Sequence, residues 1–201
     1  MLQEKLKNAT AKSHDELELL MFVGEIMNKT LTSEQYKSLL ITNYLVHSEY
    51  EGNIHQMLND TLKNDLQIEK RSKLESLKLD LEEAGINSAQ IDREFVDLPL
   101  LNFNYSSMLG AMYVLEGATL GGNVIYKKLM LNSNLTDLGY KFHYYSVYAA
   151  DLMPHWISFV KTINIAPQVN EDQAAEGASS MFNAIATISK QVNASSMVTS
   201  S

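Results

Sequence analysis

A chain of 201 residues with 45% hydrophobic content is long enough for one well-buried core and gives no sign of a second, so a single domain is expected. The absence of cysteine excludes disulfides, thiolate metal sites and iron–sulfur clusters. A net charge of −8 disfavours nucleic acid as a partner and means that an anionic ligand would be held by a few placed lysines, not by the overall field.

The first segment mixes charges with an apolar stripe on Leu6, Thr10, Leu17 and Met21, and predicts a helix over 2–20. It lacks the continuous apolar core of a signal peptide, and no run approaches membrane-spanning length, so a cytoplasmic protein without a membrane partner is expected. His14 falls within the stripe, where a lone histidine is more often a satisfied core residue than a ligand. After a short turn near 22–28, Thr32 or Ser33 ahead of Glu34 opens a helix over 33–58, with Tyr36, Leu40, Tyr44, His47, Tyr50 and Ile54 at helical spacing.

Leu74, Leu77 and Leu81 predict a helix over 69–84, followed by Gly85, and Pro99 falls clearly between periodic segments. Further helices are expected over 105–131, over 137–162 with an interruption around Ala149 to Pro154, and over 171–192. The remaining residues, 193–201, are small and polar and read as a disordered tail. Few strand signals appear, and no repeat, phosphate loop or nucleophile elbow, so the fold class is all-α.

Within the 105–131 helix, Tyr113-Val-Leu-Glu-Gly117-Ala-Thr-Leu-Gly121-Gly122 carries three glycines in six residues. Each interior glycine weakens a helix by about 1 kcal/mol relative to alanine, so the missing side chains have a use. Gly117 and Gly121 lie a turn apart on one face, where the backbone can touch a neighbouring helix or a flat ligand. The spacing leaves both readings open.

Together, Leu6-Lys7-x-Ala9-Thr10-x-x-x-His14-x-x-x-Glu18 and the glycine segment resemble the heme oxygenase family. Weaker matches are the stretch from Arg71 through Lys73, Leu74, Leu77 and Asp80 to Gly85, and that from Tyr148 through Trp156-Ile-Ser-Phe159, so the resemblance covers most of the chain. It implies one heme oxygenase-like bundle over 1–192, with heme between the first helix and a kinked glycine-rich helix. In that setting His14 is the proximal iron ligand, and Glu18, one turn on, either accepts a hydrogen bond from its free imidazole N–H or is a solvated helix residue. Gly117, Gly121 and Gly122 would press backbone onto the other face of the ring. Lys7 matches a position that binds a heme propionate, the alternative being a free surface lysine, and Lys161 is a weaker candidate for the other side. Phe182 packs in the core or closes the distal pocket.

The implied activity is oxidative cleavage of heme to biliverdin, with release of iron and carbon monoxide, using O2 and electrons from a separate ferredoxin or reductase. A bilin-accepting protein is a further partner the resemblance allows. One departure stands out: animal-type members carry aspartate directly after the first glycine, and this chain has Ala118. Thr119 and Asn123 would hold waters in its place, or Thr119 would be back-bonded within the helix. Ala118 keeps alive a second reading, a non-catalytic heme carrier or sensor. A third, a di-iron oxidase, would draw ligands from Glu49, Glu51 and His55, but apart from Glu116 no matching acids from other helices are apparent. A thiamin-degrading enzyme would need a cysteine. His47, His55, His143 and His155 read as surface or core residues.

Overall fold

The computed structural model describes residues 1–91 and 96–198. Among them there is no strand, and the all-α reading stands. Helix α1 (Leu2–Leu20) buries Leu2, Leu6 and Thr10 at four-residue spacing, and the Thr10 hydroxyl donates to the Leu6 carbonyl at 2.8 Å. The short α2 (Val23–Asn28) is bounded by Phe22 and Lys29, both in the left-handed region. Helix α3 (Ser33–Val46) opens on a capping box, in which the Thr32 hydroxyl accepts from the Gln35 N–H at 3.2 Å and the Gln35 side chain accepts from the Thr32 N–H at 2.9 Å. It passes through a π-helical turn, His47–Glu51, into α4 (Gly52–Met57), so the predicted 33–58 helix contains one widened turn. Such turns are frequent at functional sites.

Helix α5 (Asp60–Leu66), capped by the Asn59 side chain, is not expected from the pattern. Gln67 then turns through φ 50° into a 3-10 turn at Ile68–Lys70, so α6 (Leu74–Glu83) begins later than predicted. Helix α7 (Tyr105–Leu129) is capped by Asn104 and runs α-helical through all three glycines. A single turn, α8 (Ser133–Thr136), follows.

The expected helix over 137–162 is corrected. Its first half is irregular, with Gly139, Phe142 and Ala149 at positive φ and 3-10 turns at Tyr144–Ser146 and Ala149–Asp151. The reason is tertiary. Asp80 of α6 accepts from the backbone N–H groups of His143 at 2.7 Å and Tyr144 at 2.8 Å, removing donors that a helix would use. Burial pushes the Asp80 carboxyl up to about 6, against the pull of those two N–H groups. Regular helix resumes as α9 (Leu152–Ile165), whose first turn contains Pro154, where a missing N–H costs nothing. The last helix, α10 (Glu171–Val198), runs past the expected end at 192 into the stretch expected to be a disordered tail, and residues 199–201 lie outside the described set.

Helix α7 is the centre of the bundle and crosses α10 at very close range. A Cβ on Gly110 would collide with the backbone carbonyl of Ala174, and one on Gly177 with that of Ser107, so each helix supplies a glycine to the crossing. One core lies around Leu6, Leu45, Met108, Met112, Phe159 and Met181, and a second around Ile26, Tyr36, Leu40, Leu81 and Phe142. Among the described residues no helix is long and apolar enough to cross a membrane.

Candidate functional site

Between α1 and α7 lies a cavity of about 670 Å³. Helix α1 lines it with Lys7, Thr10, His14, Leu17 and Glu18, and α7 faces them with Tyr113, Gly117, Ala118, Gly121 and Ile125. Trp156, Phe182, Asn43, Tyr144 and Tyr145 complete the wall. Both volume and mainly apolar lining are those of a small-molecule site.

The structure separates the two readings of the glycines. A Cβ on Gly117 would come no nearer than 3.9 Å to the Trp156 ring, and one on Gly121 would meet only the Ile125 Cδ1 at 3.9 Å. Neither glycine is needed for helix packing, and both present bare backbone to the cavity. Gly122 is different. It is buried, its Cβ would lie 3.3 Å from the Tyr145 carbonyl, and it lets α7 pack on the Tyr144–Ser146 turn.

His14 stands across the cavity with its side chain 62% exposed. Its Nδ1 lies 3.6 Å from Glu18 Oε1, beyond hydrogen-bond length, and its ring meets the edge of Phe182 with centroids 6.3 Å apart. An exposed imidazole that makes no hydrogen bond among the described residues is not a satisfied core histidine.

This arrangement joins the comparison that decides the family: the sequence profile described as Heme oxygenase matches residues 1–191. The chain belongs to the heme oxygenase family. Its fold is similar to that of the NO- and CO-bound heme oxygenase from Neisseria meningitidis, with a TM-score of 0.73, 20% identity, and coverage of 96% of this chain and 92% of that one. It is also similar to heme oxygenase-1 from the cyanobacterium Synechocystis in complex with heme, with a TM-score of 0.68, 18% identity, and coverage of 96% and 90%. No curated protein sequence matches the chain.

The other residues singled out by the heme oxygenase resemblance divide. Lys7 lines the cavity, is exposed, and is the only lysine or arginine to do so among the described residues. Phe182, 8% exposed, lines it from α10. Lys161 is exposed on α9 and does not line it, so the structure does not bring it to the site. Thr119 is also displaced from it. Its hydroxyl donates to the Glu116 carbonyl at 2.6 Å, and with Gly122 and Asn123 it lines a separate cavity of about 340 Å³. Ala118, Tyr144 and Tyr145 line both cavities.

Sequence reasoning missed a buried polar network beside these walls. His47, in the π turn, meets Glu51 Oε2 through Nδ1 at 2.6 Å and the Tyr144 hydroxyl through Nε2 at 3.2 Å. Glu51 also accepts from the Ser72 hydroxyl at 2.5 Å and the Lys73 N–H at 3.1 Å, so its carboxylate is committed and the di-iron reading loses that ligand. Glu116 accepts from Arg71 Nη1 at 2.5 Å, from the Lys73 ammonium, and from the Tyr148 hydroxyl at 3.1 Å. The signal was present in the sequence as a glutamate next to Gly117 on an apolar helix, and as Arg71 and Lys73 ahead of a leucine stripe.

Burial alone would raise the Glu51 carboxyl, but the His47 hydrogen bond and charge, with Lys73 and Ser72, outweigh it and hold the group at about 2. A folded-state value below the ordinary 4.5 means stabilisation that is present above pH 4.5 and is lost as pH falls toward 2. Glu51→Gln should therefore cost about 3 kcal/mol at neutral pH. That penalty should shrink steadily below pH 4.5. Urea unfolding of both proteins at pH 7 and pH 3 measures it, and a penalty independent of pH would contradict the assignment.

Proposed function

We propose that the protein opens heme oxidatively to biliverdin, releasing iron and carbon monoxide, with O2 and with electrons from an external ferredoxin or reductase, in the cytoplasm. The observation that carries the reading is the unfilled backbone at Gly117 and Gly121 facing His14 across one cavity. Bound heme supplies the oxygen chemistry through its iron, and the protein supplies position. The His14 imidazole would hold the iron, and Glu18, 3.6 Å from its Nδ1, would orient it through a bridging water. Lys7, the one lysine lining the cavity among the described residues, would hold a propionate. Gly117 and Gly121 would let the α7 backbone lie close against the other face of the ring and exclude bulk water there. Phe182, with its ring edge-on to His14, would wall the pocket on the His14 side and not on the distal side expected for it.

The proton route differs from that of members with an aspartate after the first glycine. Ala118 has no polar atom to offer and the Thr119 hydroxyl is occupied within α7. Tyr144, whose hydroxyl ends the Glu51–His47 chain, lines the cavity and would be the polar side chain available in its place.

The test is to give wild-type protein hemin, oxygen and a reductant. A bilin spectrum and chelatable iron are expected. The carrier or sensor reading, which Ala118 keeps open, requires a stable heme complex and no bilin, with bilin appearing only in Ala118→Asp.

A second measurement separates ligand contact from helix packing. Gly121→Phe should reduce turnover at least a hundredfold while changing stability by under about 1 kcal/mol, because nothing is packed where the new ring begins. Gly177→Ala should do the reverse in stability, unfolding the protein or shifting the α7–α10 crossing. Equal losses of stability and activity in Gly121→Phe would favour a packing role.

A further inference from the structure

Away from the cavity, the last turn of α6 brings Asp80 and Glu83 onto one face, and the irregular segment after α8 lays His143 over them. One ligand atom from each of the three lies within 4.8 Å of the other two. Asp80 is 1% exposed, and among the described residues it has no lysine or arginine partner. Its oxygens take one backbone N–H each, from His143 and Tyr144, which leaves a lone pair free on each. Glu83 attracts donors from two sides: His143 Nε2 and Lys141 Nζ both stand 3.1 Å from its Oε1, and its Oε2 accepts from the Lys141 N–H at 3.0 Å. Two carboxylates at the negative end of a helix add to the same pull.

An independent observation lies in the same region. The Tyr36 hydroxyl is buried and makes no hydrogen bond among the described residues, and the negative charges of Asp80 and Glu83 bear on it. The second core thus holds a phenol without a hydrogen-bond partner and a carboxylate without a lysine or arginine partner, and the partly exposed His143 stands beside that carboxylate.

We infer that Asp80, Glu83 and His143 form a binding site for one divalent first-row transition ion, with zinc as the best fit. One imidazole nitrogen and two carboxylate oxygens are a borderline donor set, suited to a four-coordinate ion with water in the last position. Donors about 2.0–2.2 Å from such an ion stand closer together than 4.8 Å, so binding needs only a small inward movement. His143 and Glu83 are the partly exposed members and make that movement. Lys141, whose side chain is 70% exposed, occupies the cation's place on Glu83 and swings out when the ion enters. Because His143 precedes Tyr144 and Tyr145, an ion here fixes the wall shared by the two cavities. The site does not depend on the heme reading.

Zinc and cobalt(II) titrations of the heme-free full chain test the site, followed by calorimetry, cobalt absorption and thermal unfolding. One ion per chain is expected, with a raised Tm. His143→Ala and Glu83→Gln should weaken binding at least tenfold and abolish the Tm rise, and Lys141→Ala should tighten binding several-fold by removing the competing ammonium. The exposed His14–Glu18 pair is the rival site, so His14→Ala must bind zinc like the wild type. Absence of zinc binding, unchanged binding in His143→Ala, or loss of binding in His14→Ala would each overturn the assignment. Asp80→Asn is the less clean variant, since Asp80 also anchors the backbone of the segment.

Discussion

Glu116→Gln is expected to lower the free energy of unfolding by about 3–5 kcal/mol, among the largest single-residue effects in this protein. Arg71 and Lys73 are each 1% exposed, and both are ion-paired to the one Glu116 carboxylate. Burial alone would raise the Glu116 carboxyl, but Lys73 and Arg71 outweigh it and lower it; burial would lower the Lys73 ammonium, but Glu116 outweighs that and raises it. Glutamine keeps the shape and removes the charge, which strands two cations in the core. Arg71 retains the Leu66 and His155 carbonyls, at 2.6 Å and 3.1 Å, so its geometry persists while its charge loses compensation. Urea unfolding at pH 7 gives the value, and a loss below about 1 kcal/mol would show that water reaches the cluster. Combined replacement of Arg71, Lys73 and Glu116 by apolar residues of similar size should recover much of the loss, since the pairing offsets a desolvation cost that an apolar cluster never incurs.

Glu116 precedes Gly117, so the same cluster sets the rotation of α7 about its axis. With Glu116 held toward Arg71 and Lys73, the helical period turns Gly117 and Gly121 to the cavity and Gly122 to the Tyr145 carbonyl. Partial loss of this anchor should therefore lower ligand affinity as well as stability.

Those relations explain what the sequence showed and what it hid. Helices α1, α3, α7 and α10 were legible because each buries a stripe set by its own local period, and Thr32 or Ser33 ahead of Glu34 marked a start that the structure places at Ser33 with Thr32 as cap. The segment after Leu138 was not, because its conformation is set by Asp80, which lies far away in sequence. His14 and Lys7 were found through the resemblance and fall together on the cavity. Lys161 fails for a geometric reason: two residues beyond the buried Phe159 is about 200° around the helix, which turns it to solvent. The three glycines look alike in the sequence, and only the atoms opposite them, open cavity or the Tyr145 carbonyl, separate ligand contact from packing. The Arg71–Glu116 pair spans 45 positions, a distance at which no periodicity speaks.

His14→Ala should abolish heme turnover while leaving stability within about 1 kcal/mol of wild type. The two halves of that expectation have separate grounds. The His14 side chain is 62% exposed, and its nearest acidic partner, Glu18, stands at 3.6 Å, so little folding energy is lost with the imidazole. Alanine is also the better helix former in the middle of α1. Binding of hemin should persist in weakened form, because the cavity keeps its apolar lining and Lys7. What would disappear is the nitrogen proposed to hold the iron. The heme spectrum should change to that of an altered axial ligand, and added imidazole, small enough for the vacated space, should restore the wild-type spectrum and part of the activity. Retention of both native spectrum and rate in His14→Ala would refute the ligand assignment. A large stability loss would instead return His14 to a structural role that its exposure does not support.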